Sequence, residues 1–145
     1  MVYSNTRKYG FAANVEDWVS EVEGLTLLVL KESIDETVNT MQVPKPDGGR
    51  MPVKTGFLRS TGLSSLNGWP SGPDDKPKDA APNSFDWDGE SVTTTLDDMK
   101  QGDTFYFGWT AVYALKQEVY NGFLDTAAQN WQTTVDANVR KLRDE

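Results

Sequence analysis

The chain contains no cysteine and no histidine. Without cysteine there is neither a disulfide framework nor a thiolate site. Without histidine as well, a zinc centre lacks the two side chains it almost always draws on, and Ser–His or Cys–His nucleophilic catalysis is impossible. Chemistry would rest on carboxylates, lysines or tyrosines alone. The expectation is therefore a protein that is not an enzyme and holds no cofactor or metal. Long apolar runs are missing too, and none approaches the ~18 residues of a membrane span. Residues 1–10 carry Arg7 and Lys8 with no apolar stretch after them, unlike a secretory signal. No membrane partner is expected, and the chain reads as soluble and made in a cytoplasm.

Basic side chains are outnumbered, 14 against 22 acidic, for a net charge of −8. This argues against a high-affinity nucleic-acid partner, because such affinity comes mainly from neutralising phosphates. The surplus is local. Residues 71–103 hold nine acids and three lysines, whereas the 45–59 stretch is basic. Opposed strips of this kind suit contacts between copies, although a solvated surface is the commoner meaning of a charge run.

What is present points to one α+β domain spanning residues 1–145. A long N-terminal helix and C-terminal helices are expected to pack on a small antiparallel β-sheet. The first helix is predicted over 14–41, with Asn14 as N-cap and Asp17 three residues on. Val15, Trp18, Val22, Leu25 and Val29 step by three and four, and Leu30, Ile34, Val38 and Met41 continue the stripe. Such a helix spans roughly 40 Å. Pro44, Pro46, Gly48 and Gly49 then break the chain. Thr55 is placed to cap a single turn containing Leu58 and Arg59, and a strand is expected over 61–66.

Residues 67–90 hold four of the seven prolines, three glycines and a cluster of acids, with no period. A Gly/Pro/Asp-rich loop of this length is functional or disordered more often than structural. It is expected to be mobile in a free subunit and to order against a neighbour. Beyond it, Val92, Thr94 and Leu96 alternate with polar residues, as do Phe105, Phe107 and Trp109. Two strands joined at a Lys100–Asp103 turn are predicted, with the three aromatics lining the buried face of a central strand. Thr110 is expected to cap a helix over 111–120 that stops at Asn121-Gly122. A last helix from about Asp125 shows Leu124, Ala128, Trp131, Val135, Val139 and Leu142 on one face.

Sites for chemistry are few. Asp86-Trp-Asp-Gly-Glu90 has the look of a calcium loop but lacks the spacing and the flanking helices of an EF-hand, and it reads as a polar turn. Adjacent acids such as Asp97 and Asp98 point apart in a regular element. Trp69, Phe85 and Trp87, large aromatics in a polar loop, are candidate anchors in a partner's pocket, with packing on their own sheet as the alternative.

Two segments together resemble one family. Met51-Pro-Val-Lys-Thr-Gly-Phe-Leu-Arg-Ser60 is similar to its P-V-x-T-G-x-L-R-x-S signature after a long helix. Tyr113-Ala-Leu-Lys-Gln-Glu118, followed by Gly122 and a final helix, is similar to its Y-A-x-x-x-E segment. This is the neck and tail-completion (head–tail joining, minor tail) family of long-tailed bacteriophages, and the match covers roughly residues 11–142 apart from the 67–90 insert. The resemblance implies a non-catalytic virion subunit that forms a ring, six copies by analogy, at the head-proximal end of the tail. Its partners would be copies of itself, the tail tube protein and the neck connector proteins, with DNA only passing through the lumen. It would be located in the virion, and in the host cytoplasm during assembly. Thr55 and Gly56 would shape the turn after the long helix beside Leu58, and Arg59 would pair with an acid or a carbonyl. Tyr113 and Glu118 would fix the helix after the hairpin, the one over 111–120, to the sheet or to a neighbouring subunit. Asp97, Asp98 and Asp103 are the candidates for lining the lumen. A tail terminator or head-closure protein is the rival within the class, and a bacterial protein-binding module using the aromatic loop is the rival outside it.

Overall fold

The computed structural model describes residues 10–144. The opening segment around Arg7 and Lys8 lies outside the described residues. The fold is α+β. Helix α1 (Gly10–Met41) leads through a 3-10 turn (Lys45–Asp47) to the one-turn helix α2 (Phe57–Ser60) and strand β1 (Gly62–Leu66). Helix α3 (Glu90–Asp98) and strand β2 (Phe105–Trp109) follow, then helices α4 (Ala114–Asn121), α5 (Phe123–Gln129) and α6 (Trp131–Asp144). The backbone of α1 is already helical at Asn14, so that residue lies within the helix and does not cap it. No helix among the described residues is long and apolar enough to cross a membrane.

The sheet has two antiparallel strands, β1 and β2, in the register Gly62↔Trp109, Ser64↔Phe107 and Leu66↔Phe105. Residues 92–96, expected to pair with β2, are instead part of α3. The alternation of Val92, Thr94 and Leu96 hid a helical stripe: Val92, Thr95, Leu96 and Met99 are all buried, at the i, i+3, i+4, i+7 spacing. Threonine is β-prone because its branched side chain restricts χ1. Here Thr93 and Thr95 donate their hydroxyls to the carbonyls of Gly89 and Ser91, four residues back, and remain helical. The helix starts where Asp88 Oδ1 accepts the Glu90 N–H at 2.9 Å, so the acidic turn works as a helix start. The Lys100–Asp103 turn therefore joins a helix to a strand and closes no hairpin.

Two adjoining cores form. Ile34 and Val38 of α1 meet Val92, Leu96 and Met99, with Phe105, Phe107 and Trp131 packed against them. Met51, Phe57, Leu58, Ala111 and Phe123 make the second, flanked by Phe85, Trp109 and Tyr113. Strand β2 joins the two, since the Phe107 ring lies edge-on to Trp109 at 5.2 Å and Trp109 edge-on to Phe123 at 4.7 Å. Phe105, Phe107 and Trp109 are only half-buried, because a two-stranded sheet has no central strand to shield them.

The C-terminal region departs from expectation in two places. Thr110 caps no helix, because its hydroxyl donates to the Pro73 carbonyl at 2.6 Å and α4 begins only at Ala114. The last helix is broken at Asn130 into α5 and α6. The break shifts the stripe, so that Phe123 and Ala127 are buried while Leu124 and Ala128 face outward. Gly122 does end α4 in the left-handed conformation, at φ 66°, with its N–H on the Glu118 carbonyl.

The 67–89 segment is irregular but fastened to its own domain. Val112 N–H donates to the Asp74 carbonyl, Asn83 N–H to Lys54 and Phe85 N–H to Thr55, all near 3.0 Å. Trp69 lies edge-on to Tyr106 at 4.8 Å, over the outer face of the sheet. The expectation that it orders only against a neighbour does not match these contacts, because backbone groups supplied the fastening that its scarce apolar side chains lacked.

Candidate functional site

The segments that carried the family resemblance are far apart in sequence and adjacent in space. Thr55 Oγ1 accepts the Phe57 N–H at 3.2 Å and so starts α2. Gly56 is left-handed at φ 86°, and a Cβ there would overlap the Phe85 carbonyl oxygen. This turn sends Phe57 and Leu58 into the second core, where the Phe57 ring lies 5.3 Å from Phe85 and 6.5 Å from Tyr113. On the open side, Pro52, Lys54, Leu58, Lys76, Tyr113 and Gln117 border a cleft of about 410 Å³. Burial pushes the Tyr113 phenol above its ordinary value, against the opposing effect of a backbone hydrogen bond from Leu58. Lys54 and Lys76 are the charged side chains that line this cleft.

Arg59 turns away from this cleft. Its Nε donates to the Gln42 carbonyl at 2.7 Å, its guanidinium lies 5.5 Å from the centre of the Trp87 ring, and Gln42 Nε2 returns a bond to the Arg59 carbonyl at 2.9 Å. Of the two partners expected for Arg59, the structure supplies the carbonyl. Positive charge at the end of α1 also suits the helix dipole. Gln42 Oε1 further accepts the Trp109 Nε1–H at 3.0 Å. One buried glutamine thus links α1, α2 and β2, a role that its position beyond the last predicted helical residue did not signal.

The remaining candidates divide. Thr55, Gly56 and Leu58 are buried within the domain and meet the outside only where they line that cleft. Phe85 and Trp87 fold back onto the two cores, and Trp87 Nε1 donates to the Gly62 carbonyl at 2.9 Å. Only Trp69 of the three loop aromatics is open, at 78% exposure. Glu118 fixes α5 internally, since its two carboxylate oxygens accept the Leu124 and Asp125 N–H groups at 2.9 and 3.0 Å. Asp97 and Asp98 are exposed at the end of α3. Asp103 builds the turn before β2 by accepting the Lys100 N–H at 2.8 Å and the Asn67 side-chain amide at 3.1 Å. These bonds, the Lys100 one first, hold its carboxyl below the usual carboxylate range. No three acids converge as a metal site among the described residues.

The sequence reading missed the most exposed apolar surface, on α4 and its flanks: Val112, Leu115, Val119 and Tyr120. The N-terminal half of the α1 stripe is open as well, with Val15, Trp18 and Leu25 exposed. A signal existed for α4, because Leu115 and Val119 are separated by one helical turn from each other and lie off the Ala114–Glu118 face. No family model, curated protein or solved structure matches the chain.

Proposed function

We propose that the chain is a structural protein of a tailed-phage virion, a neck or tail-completion subunit that forms a ring at the head-proximal end of the tail and joins it to the head. The observation that supports this reading is the meeting of the two signature-like segments. Phe57 and Leu58 of the first share the second core with Tyr113 and Ala114 of the next. Thr61, just after the first segment, accepts the Ala111 N–H on its hydroxyl at 3.3 Å. Segments that jointly define one structural unit are what a family signature requires, whereas unrelated chance matches have no reason to touch. The buried positions of Thr55 and Gly56, and the internal hydrogen bonds of the half-buried Arg59, favour a role in shaping the subunit. The ring's partners would be further copies, six by analogy, with the tail tube and connector proteins above and below, and DNA passing through. Asp97 and Asp98 remain the exposed acids available to a lumen, where like charge lets phosphate slide.

The alternative of a binding module using the 67–90 aromatics loses support, because Phe85 and Trp87 are committed to the cores. Cryo-electron microscopy of virions tests the proposal. The chain is expected as a ring between the tail tube and the portal, and its absence from particles would overturn the reading.

A further inference from the structure

Two apolar faces of this chain have no cover among the described residues. Helix α6 accompanies α1 only as far as Leu28 and Val29, which share a shallow cleft with Leu142. Upstream of that point, about 20 Å of α1 projects, carrying Val15, Trp18, Val19 and Leu25 at 38–42% exposure. These positions fall on one side of the helix, and Glu16 and Glu23 run along its edge. Between residues 15 and 30 there is no lysine or arginine.

The second face is on α4. Leu115 and Val119 are each 77% exposed and Tyr120 73%, with Val112 continuing the row. Its surroundings are basic. Lys116 lies on α4 itself, Lys54 and Lys76 border the cleft that Gln117 of α4 also lines, and Arg50 reaches the Asn121 carbonyl at the helix end, 3.5 Å away. The one acid of α4, Glu118, is engaged in capping α5. A contiguous exposed apolar surface of this kind marks an interaction site.

We propose that the partner of each face is the other face on a second copy of this chain: the projecting half of α1 lies along α4 of the next subunit. The apolar rows bury each other, and the acids beside the first meet the lysines around the second. Because the two faces differ, the contact is heterologous and leaves one face of each kind free, so it propagates around a ring or along a filament and does not stop at a dimer. This deepens the ring reading above and rests on it for the ring's place in a particle.

The absence of native cysteine makes the test direct. Single cysteines at Val15, Val19 or Leu25 are mixed pairwise, in the full-length chain, with single cysteines at Leu115 or Val119 and oxidised. Disulfide-linked heterodimers are expected from at least one pair, with none from any variant alone. A chain carrying both substitutions of that pair should give a ladder of oligomers. Lys54→Glu with Lys116→Glu should lower the yield several-fold, and Glu16→Lys with Glu23→Lys on the partner should restore it. All these positions are exposed, and unchanged circular dichroism identifies variants that remain folded. Folded variants that never cross-link overturn the contact. Variants that link only to themselves overturn it as well. The outcomes separate from those of virion imaging: a neck ring without the cross-link removes this contact alone, and a cross-link with the chain absent from particles removes the neck reading alone.

Discussion

Gln42 and Arg59 exchange two hydrogen bonds, each giving a side-chain N–H to the other's backbone carbonyl, at 2.9 and 2.7 Å. This closed pair fastens the end of α1 to the end of α2, and Trp109 joins it through Gln42 Oε1. Gln42→Ala strips partners from the Trp109 indole N–H and the Arg59 carbonyl, and is expected to cost about 2–4 kcal/mol in urea unfolding. Arg59→Lys keeps the charge but loses the guanidinium over the Trp87 ring and the Nε hydrogen bond. The expected loss is about 1–2 kcal/mol. A Gln42→Ala protein as stable as wild type would show that the pair contributes nothing.

Gly56 and Gly48 are both left-handed, at φ 86° and 93°, but only Gly56 has the Phe85 carbonyl where a Cβ would go. Gly48→Ala should lose about 1 kcal/mol from backbone strain alone. Gly56→Ala should lose clearly more, because the 83–85 strap must also shift. Thermal unfolding of the two variants side by side checks the order, and equal losses would remove the collision argument.

Thr37 is buried in α1 with no hydrogen-bond partner for its hydroxyl among the described residues. Thr37→Val keeps the shape and removes the desolvated oxygen. It is expected to raise stability by about 0.5–1 kcal/mol, read as a higher urea midpoint with an unchanged slope.

Asp103 gives a pH signature. Its folded carboxyl is held low by the Lys100 N–H first and the Asn67 amide second, so its contribution is present at neutral pH. A depressed folded value means that this contribution begins to fall as pH drops through the ordinary carboxylate range near ~4 and is lost below the folded value. Amide resonances of Lys100 and Asn67 should report a midpoint below that of an unstructured aspartate. A midpoint at or above it would contradict the turn geometry.

The 67–89 segment is fastened at Asp74 and again at Asn83 and Phe85. Limited trypsin digestion should therefore cut first at Lys78, in the stretch between those points. First cuts at Lys54, whose carbonyl holds the Asn83 N–H, or at Lys100 would show that the fastening does not hold in solution.

The sequence by itself determined the α+β class, the C-terminal end of α1, the turn at Thr55-Gly56, the strand at 105–109 and the stop at Gly122. Each depends on local chemistry: helical periodicity, a hydroxyl cap, aromatic alternation, or a glycine free to take positive φ. Tertiary structure alone decided the rest. Val92 to Leu96 fits a strand by composition and a helix by spacing, and what settles it is burial against Ile34 and Val38 together with the hydrogen bonds of Ser91 and Thr95 to Ser64. β2 pairs with β1 across more than thirty intervening residues, a choice that no local pattern encodes. The candidate site was legible as two motifs, but not as a surface. An apolar residue on an amphipathic helix reads the same whether its own chain covers it or not. Ile34 and Val38 are buried because α3 brings Val92 and Leu96 against them, whereas Val15 and Trp18 lie further up α1 and are exposed.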